Sequence, residues 1–133
     1  WNINIPLPAG TAGDAYEEAW NAIVLPVLRA MQPDWILVSA GFDGHADDPL
    51  ANIQLREPDF GRMGHRLAQI TPGRLVFFLE GGYDLGAISG SVEASMRGVG
   101  GEFPDLTGAH SPPRAFHMLR VAASQVEKYW TLG

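Results

Sequence analysis

The sequence contains no cysteine, few basic residues and no long hydrophobic run. The absence of cysteine among 133 residues excludes disulfides, thiolate metal ligands and a cysteine nucleophile. The net charge is −6 and the nine Lys and Arg residues are scattered, which argues against nucleic acid as a partner. No apolar stretch approaches the ~20 residues that cross a bilayer, and the N-terminus lacks the order of a secretory signal. We therefore expect a cytoplasmic protein with no membrane partner.

The composition fits one globular domain over residues 1–133. Hydrophobic residues make up 46% of the chain, enough to bury a core. Alternating apolar and polar residues over Trp1 to Leu7 predict a short strand. Apolar residues at helical spacing then predict a helix from about Ala15 to Met31, interrupted at Pro26.

Two apolar runs further along predict the centre of a sheet. Trp35–Ser39 and Leu75–Leu79 are continuous rather than alternating, which is typical of parallel strands covered on both faces. A helix opened by Pro58 lies between them, another runs from about Leu85 to Val99, and a last helix, which we expect to pack on the sheet, begins at Pro113. This alternation of strand and helix predicts an α/β fold with a parallel sheet.

Polar, glycine-rich sequence follows both predicted strands. In an open parallel sheet, ligands bind in the crevice beyond the carboxyl ends of the strands. Asp43 lies four positions after Ser39, and Tyr83 lies four positions after Leu79. A right-handed crossover would set the two strands side by side, so we expect the two side chains to face one pocket.

The loop after the first strand allows two interpretations. Asp43 and His45 have a spacing that could place a carboxylate and an imidazole on one zinc ion. Alternatively, Asp43, Asp47 and Asp48 cap and hydrogen-bond a tight loop, as Asp residues commonly do. Turn chemistry alone does not choose between them.

Tyr83 allows two interpretations as well. A tyrosine after a strand is more often a packed ring whose hydroxyl is hydrogen-bonded within the protein. Gly81 and Gly82 directly before it favour a ligand site, because glycine lets the backbone approach a ligand closely.

Both segments resemble known motifs. Ser39 to Leu50, with the sequence SAGFDGHADDPL, and Leu79 to Tyr83, with the sequence LEGGY, resemble the two C-terminal motifs of the histone deacetylase superfamily. The resemblance is to its bacterial acetylpolyamine amidohydrolase and acetoin-utilisation branch in particular. It extends from about residue 2 to residue 100 and includes Asn4 to Pro8.

The resemblance implies a three-layer, arginase-like α/β fold, of which this chain would be the C-terminal half. It also implies a zinc hydrolase that cleaves the acetyl amide of acetyl-lysine or acetylpolyamine substrates. By motif position, Asp43 would be the third zinc ligand, and Tyr83 would hydrogen-bond the substrate carbonyl and then the oxyanion. Phe42, Gly81 and Gly82 would form the pocket beside them. The family pattern does not make His45 a ligand.

Other elements of that family's site have no counterpart in this sequence. The adjacent His-His pair and the other two zinc ligands come from the family's N-terminal portion, whereas no two histidines are adjacent here (His45, His65, His110 and His117). We therefore expect this chain alone to hold zinc weakly and to be inactive.

We expect the partner to be a second copy, giving a homodimer or higher oligomer through exposed strand edges, or a missing N-terminal portion. Two alternatives remain. One is a non-catalytic α/β binding or oligomerisation module on the same scaffold. The other is complementation, in which another polypeptide supplies the missing ligands.

Overall fold

The computed structural model describes residues 2–131. In that range the chain forms, in order, α1 (Gly13–Ala19), a π-helical turn (Trp20–Val24), α2 (Leu25–Met31), β1 (Ile36–Gly41), α3 (Glu57–Ile70), β2 (Leu75–Gly81), α4 (Leu85–Val99) and α5 (Pro113–Val126). The predicted order of strand, helix, strand and helix is confirmed.

The first helical segment runs from α1 through the π-helical turn into α2. Pro26 lies in the first turn of α2, directly after the π-helical turn. Proline has no N–H to donate, and a wide turn is one way for a helix to continue past the lost bond. The segment ends at Gln32, whose left-handed φ of 49° allows its N–H to donate to the Leu28 carbonyl at 3.0 Å.

The strand predicted over residues 1–7 is wrong for residues 2–7, and Trp1 lies outside the described residues. The alternation instead reflects packing of an extended segment against helices. Ile3 and Ile5 contact a buried cluster that includes Ile23 and Val27. No neighbouring strand pairs with residues 2–7 in the described chain. The alternation of apolar and polar residues therefore marks a buried face of this segment and not a hydrogen-bonded strand.

The predicted parallel pair is confirmed. β1 and β2 pair from Ile36 opposite Leu75 to Ala40 opposite Leu79, and the register then slips by one residue so that Gly41 lies opposite Gly81. The two strands therefore end at the same edge.

Burial of both sheet faces, however, is not found in residues 2–131. Val38 and Phe77 face the core that α3 covers. On the opposite face, Leu37 and Phe78 are instead 66% and 51% exposed. The apolar side chains on this face are of the kind that packs against a second layer, and the described chain does not supply that layer.

α3 and α4 pack closely because glycines lie at their crossing. A Cβ atom at Gly64 would collide with the Ser95 carbonyl, and one at Gly98 would collide with the Gly61 carbonyl. Ser95 is buried and donates its hydroxyl to the Ser91 carbonyl at 2.7 Å. The helices therefore meet backbone to backbone, which holds α3 firmly beneath the sheet.

The packing predicted for the last helix is wrong, because α5 lies against α1 instead of the sheet. Ala115 and Leu119 form a buried cluster with Ala15 and Ala19. Just before α5, the backbone N–H of Ser111 donates to both carboxylate oxygens of Asp14 at 3.0 Å. Burial acts to raise the pKa of Asp14, but the hydrogen bonds from the Ser111 hydroxyl and from the Ser111 N–H outweigh burial and the pKa is lowered.

A largely buried ion-pair cluster joins α1 to α3. Glu17 accepts hydrogen bonds from Arg62, at 3.0 Å, and from Arg66. The guanidinium of Arg62 also donates to the Pro104 carbonyl at 2.7 Å and lies 3.9 Å from the ring centre of Phe103. Burial acts to raise the pKa of Glu17, but the two arginines outweigh burial and the pKa is lowered.

We predict that Glu17→Gln lowers the free energy of unfolding at pH 7 by about 1.5–3 kcal/mol, because two charged donors lose their carboxylate. The folded pKa of Glu17 lies below its ordinary value of 4.5. Its contribution is therefore full above that pH and is lost as the pH falls through the folded pKa. The difference between wild type and variant should shrink in acid, as measured by urea unfolding between pH 7 and pH 3.

Glu18→Gln is the matched control, since Glu18 is the next residue and is exposed. The same charge change there should alter stability by less than about 0.5 kcal/mol. An equal loss in both variants would contradict a specific role for the cluster.

Candidate functional site

The parallel pairing of β1 and β2 brings two predicted site residues to one edge of the sheet. Asp43 follows Gly41 by two residues, Tyr83 follows Gly81 by two residues, and the two glycines lie opposite each other in the register. The backbone N–H of Phe42 donates to the Gly81 carbonyl at 2.9 Å, which extends the pairing one step beyond the strands. The two loops therefore start side by side.

The carboxylate of Asp43 lies over the ends of both strands. Its Oδ1 is 2.9 Å from the position a Cβ would take at Gly41 and 3.5 Å from that position at Gly81. A side chain at Gly41 would push the carboxylate away, so glycine there makes room for it. Asp43 also lines a cavity of about 610 Å³ between β1, α1 and α3.

Tyr16 of α1 lines the same cavity and was not identified from the sequence. Burial raises the pKa of the Tyr16 phenol, and the negative charge of Asp43 raises it further. The phenol therefore stays protonated beside the carboxylate. In the sequence Tyr16 is one aromatic residue on a helical face, which gives no sign of this proximity.

The predicted pocket residues differ in exposure. Phe42 is 5% exposed, and its ring packs edge-on against Phe60 with centroids 5.3 Å apart. Gly82 has a φ of +123°, and a Cβ there would lie 2.8 Å from Cγ1 of Ile88. Tyr83, by contrast, is 63% exposed. Gly82 thus turns the chain away from the core at the point where Tyr83 begins.

Asp48 connects the two loops, a role not predicted from the sequence. Its side chain is buried, and Oδ1 accepts the Leu50 N–H at 2.9 Å. Oδ2 accepts the N–H of Tyr83 at 2.7 Å and that of Asp84 at 3.4 Å. The turn-capping interpretation accounts for the first bond only, and nothing in the sequence indicates the partners 35 and 36 residues away.

His45 lies inside the loop of Asp43. It is 1% exposed, its ring is stacked with Phe60, and its Nδ1 accepts the Asp47 N–H at 3.1 Å. Its Nε2 lies 3.5 Å from Oε2 of Glu57. His45 therefore supports the loop from within, which favours a structural role over the Asp-x-His metal site.

The described residues do not form a complete metal site. Within residues 2–131, no group of three or more His, Cys, Asp and Glu side chains could hold a metal ion. His65 packs against Phe103 with ring centroids 4.9 Å apart, and Nδ1 of His110 lies 3.6 Å from Asp14. Asp43 offers a single carboxylate, whereas a catalytic zinc site normally has three protein ligands. Zinc does not fit this part of the chain alone.

We predict that Gly82→Ala lowers the free energy of unfolding by about 1–3 kcal/mol from backbone strain, with a further loss from collision with Ile88. Gly73→Ala is the matched control, since Gly73 has a φ of +73° and no atom of the described chain lies within 4 Å of the position its Cβ would take. Gly73→Ala should lower the free energy of unfolding through backbone strain only, without the loss from collision. Equal losses in urea unfolding would contradict the close contact at Gly82.

Comparisons with known proteins agree on one family. The family model for the histone deacetylase domain matches residues 1–99. Histone deacetylase 10, chloroplastic, of Oryza sativa subsp. japonica is 41% identical over 115 residues, which are 84% of this chain and 26% of that protein. Histone deacetylase HDA1 of Saccharomyces cerevisiae is 34% identical over 98% of this chain and 19% of its own length. The chain thus spans about a quarter or less of these relatives.

Solved structures give the same result. The histone deacetylase Clr3 superposes with a TM-score of 0.92 at 30% identity, covering 98% of this chain and 22% of that one. The HDA15 HD domain superposes with a TM-score of 0.86 at 29% identity, covering 96% and 36%. The predicted deacetylase-like α/β fold, present in part, is confirmed. The bacterial branch of the family stays a prediction.

Proposed function

Because the chain belongs to the histone deacetylase family, we propose that it forms the C-terminal part of a zinc-dependent amidohydrolase and supplies Asp43 and Tyr83 to the active site. The observation that carries the proposal is the parallel register of β1 and β2, which starts both loops at one edge of the sheet. The substrates would be acetylated amines of the acetyl-lysine or acetylpolyamine type.

Each residue has a role that its position supports. Tyr83 is 63% exposed at the start of the loop that follows β2. Its phenol can there donate a hydrogen bond to a substrate carbonyl and to the oxyanion that forms from this carbonyl during the reaction. Asp43 would contribute one oxygen ligand. Zinc, when bound, polarises the carbonyl and lowers the pKa of its water. Phe42, Gly81 and Gly82 would line the wall next to Tyr83.

This chain alone would be inactive. One carboxylate does not hold zinc with useful affinity, and the described residues contain no complete ligand set. The remaining ligands and the His-His pair would come from an N-terminal portion, in the same polypeptide or in another one. The exposed sheet face that includes Leu37 and Phe78 is where that portion would pack.

The test combines this chain with the complementary N-terminal portion of a homologous deacetylase domain and assays hydrolysis of an acetyl-lysine peptide and of an acetylpolyamine with zinc. We expect the mixture to be active and the chain alone to be inactive. Tyr83→Phe should lower kcat by roughly 10²–10³-fold, because one oxyanion donor is lost. Asp43→Ala should abolish activity in the mixture and lower its zinc content.

Tyr129→Phe is the control for Tyr83→Phe, since Tyr129 is an exposed tyrosine after α5. It should leave the rate unchanged. Sedimentation shows whether the two portions associate. An associated, zinc-loaded mixture that leaves both amides intact would contradict the proposal, as would a Tyr83→Phe variant with the wild-type rate.

A second candidate function is an oligomerisation module, favoured by the open sheet. Each strand has one neighbour in the described chain, so the outer edges of β1 and β2 are free to pair with another chain. Leu37 and Phe78 are each more than half exposed on the sheet face that α3 does not cover. Two copies could cover this surface by packing their sheets together.

We predict that the chain alone sediments as a dimer or larger species and that Leu37→Lys shifts it toward monomer, because a charge would have to be buried. Val121→Lys on α5 is the control, since Val121 is 50% exposed on a helix that packs elsewhere. It should leave the mass unchanged. A monodisperse wild-type monomer would exclude the module and leave the deacetylase proposal standing.

The cellular location stays a prediction. No helix within residues 2–131 is long and apolar enough to cross a membrane. We propose a cytoplasmic location on the sequence evidence, although two relatives are named as chloroplastic proteins.

A further inference from the structure

The carboxylate of Asp48 has more hydrogen bonds than its own turn requires. An Asp that stabilises a tight turn needs one oxygen on a backbone N–H two residues later, and Oδ1 provides this to Leu50 at 2.9 Å. The other oxygen crosses to the next loop and accepts the N–H groups of Tyr83 and Asp84. Asp48 is only 6% exposed, so these charge-assisted bonds lie largely out of water.

The loop that carries Asp48 is itself fixed at several points. The His45 N–H donates to the Phe42 carbonyl and the Asp48 N–H donates to the His45 carbonyl, each at 3.0 Å. The Ala46 N–H donates to the Leu55 carbonyl at 2.9 Å. Because Asp43 lies within this bonded segment, a displacement of Asp48 relative to Asp43 would break backbone hydrogen bonds.

The loop of Tyr83 has fewer supports of its own. The Gly81 carbonyl is bonded to Phe42, but Gly82 follows with a φ of +123°, a region that glycine enters freely. The next backbone N–H belongs to Tyr83, and Asp48 holds it at 2.7 Å. After Tyr83, the Asp84 side chain accepts the Ala87 N–H at 2.7 Å and begins α4.

We propose that Asp48 is a positioning residue that fixes the backbone of Tyr83 relative to the loop of Asp43. Under the deacetylase function proposed above, on which this statement rests, Asp48 sets the position of the Tyr83 phenol relative to the metal ligand Asp43. The lowered pKa of Asp48 agrees with this role: burial acts to raise the pKa, but the backbone N–H groups outweigh burial, so the acceptor stays ionised.

The first experiment uses this chain alone and measures hydrogen exchange of assigned backbone amides by NMR in wild type and Asp48→Asn. An amide side chain has the size of Asp but only one oxygen, so an NH₂ group must face one set of N–H donors. We expect exchange at Tyr83 and Asp84 to accelerate by about tenfold or more while amides within β1 and β2 keep their rates.

Asp47→Asn is the matched control. It makes the same charge change one residue earlier, on a carboxylate that is 57% exposed and paired with Arg56 at the surface. In Asp47→Asn the Tyr83 amide should exchange at the wild-type rate. Unchanged exchange at Tyr83 in Asp48→Asn would overturn the proposal, and so would equal acceleration of all amides, because that would indicate general destabilisation only.

The second experiment applies to the active mixture described above and compares Asp48→Asn, Tyr83→Phe and the double variant. If Asp48 acts through Tyr83, Asp48→Asn lowers kcat by about tenfold with little change in KM, and it adds almost nothing when Tyr83→Phe is present. Additive effects would overturn the link to catalysis. An inactive wild-type mixture would count against the proposed function, whereas the exchange experiment would still decide whether Asp48 positions Tyr83.

Discussion

The parallel pairing of β1 with β2 is the constraint on which the rest of this structure depends. It sets Gly41 opposite Gly81, so the two polar loops leave the sheet at one edge and in one direction. An antiparallel pair would send them to opposite ends of the molecule. The bond from Phe42 to Gly81 and the carboxylate of Asp48 then carry the same alignment from the strands into the loops.

Residues 2–131 supply one covering layer for the sheet and leave its other side open. α3 and its glycine contacts with α4 cover the side of Val38 and Phe77. On the other side, Leu37 and Phe78 are exposed, although their sequence is that of strands buried on both sides. The deacetylases on which the chain superposes are several times longer, and the chain covers 22% of one and 36% of the other.

The sequence predicted the elements whose signals are local and strong. The apolar runs that begin at Trp35 and Leu75 predicted both strands, and the strand-helix alternation predicted their parallel pairing. Residues 2–7 had the right alternation for a strand but no partner to pair with in the described chain, so they pack on helices instead. The partner of α5 was missed because apolar spacing identifies a buried face without identifying what covers it.

In the candidate site, motif position predicts Asp43 and Tyr83 as site residues, and the fold sets their loops side by side. Asp48 and Tyr16 were missed as contributors for one physical reason. Their partners are separated from them by 27 to 36 residues, and no local pattern encodes such contacts. His45 has the spacing of a ligand, but burial against Phe60 decides its role, and burial depends on the assembled core.

The contact between Ser111 and Asp14 also bears on the order in which the chain folds during translation. These residues are 97 positions apart, and the small apolar face of α1 is covered by α5, which comes last among the helices described. During synthesis that face would therefore stay uncovered until residues 113–126 had been made. Over this interval the small apolar face of α1 would be open to contact with other chains.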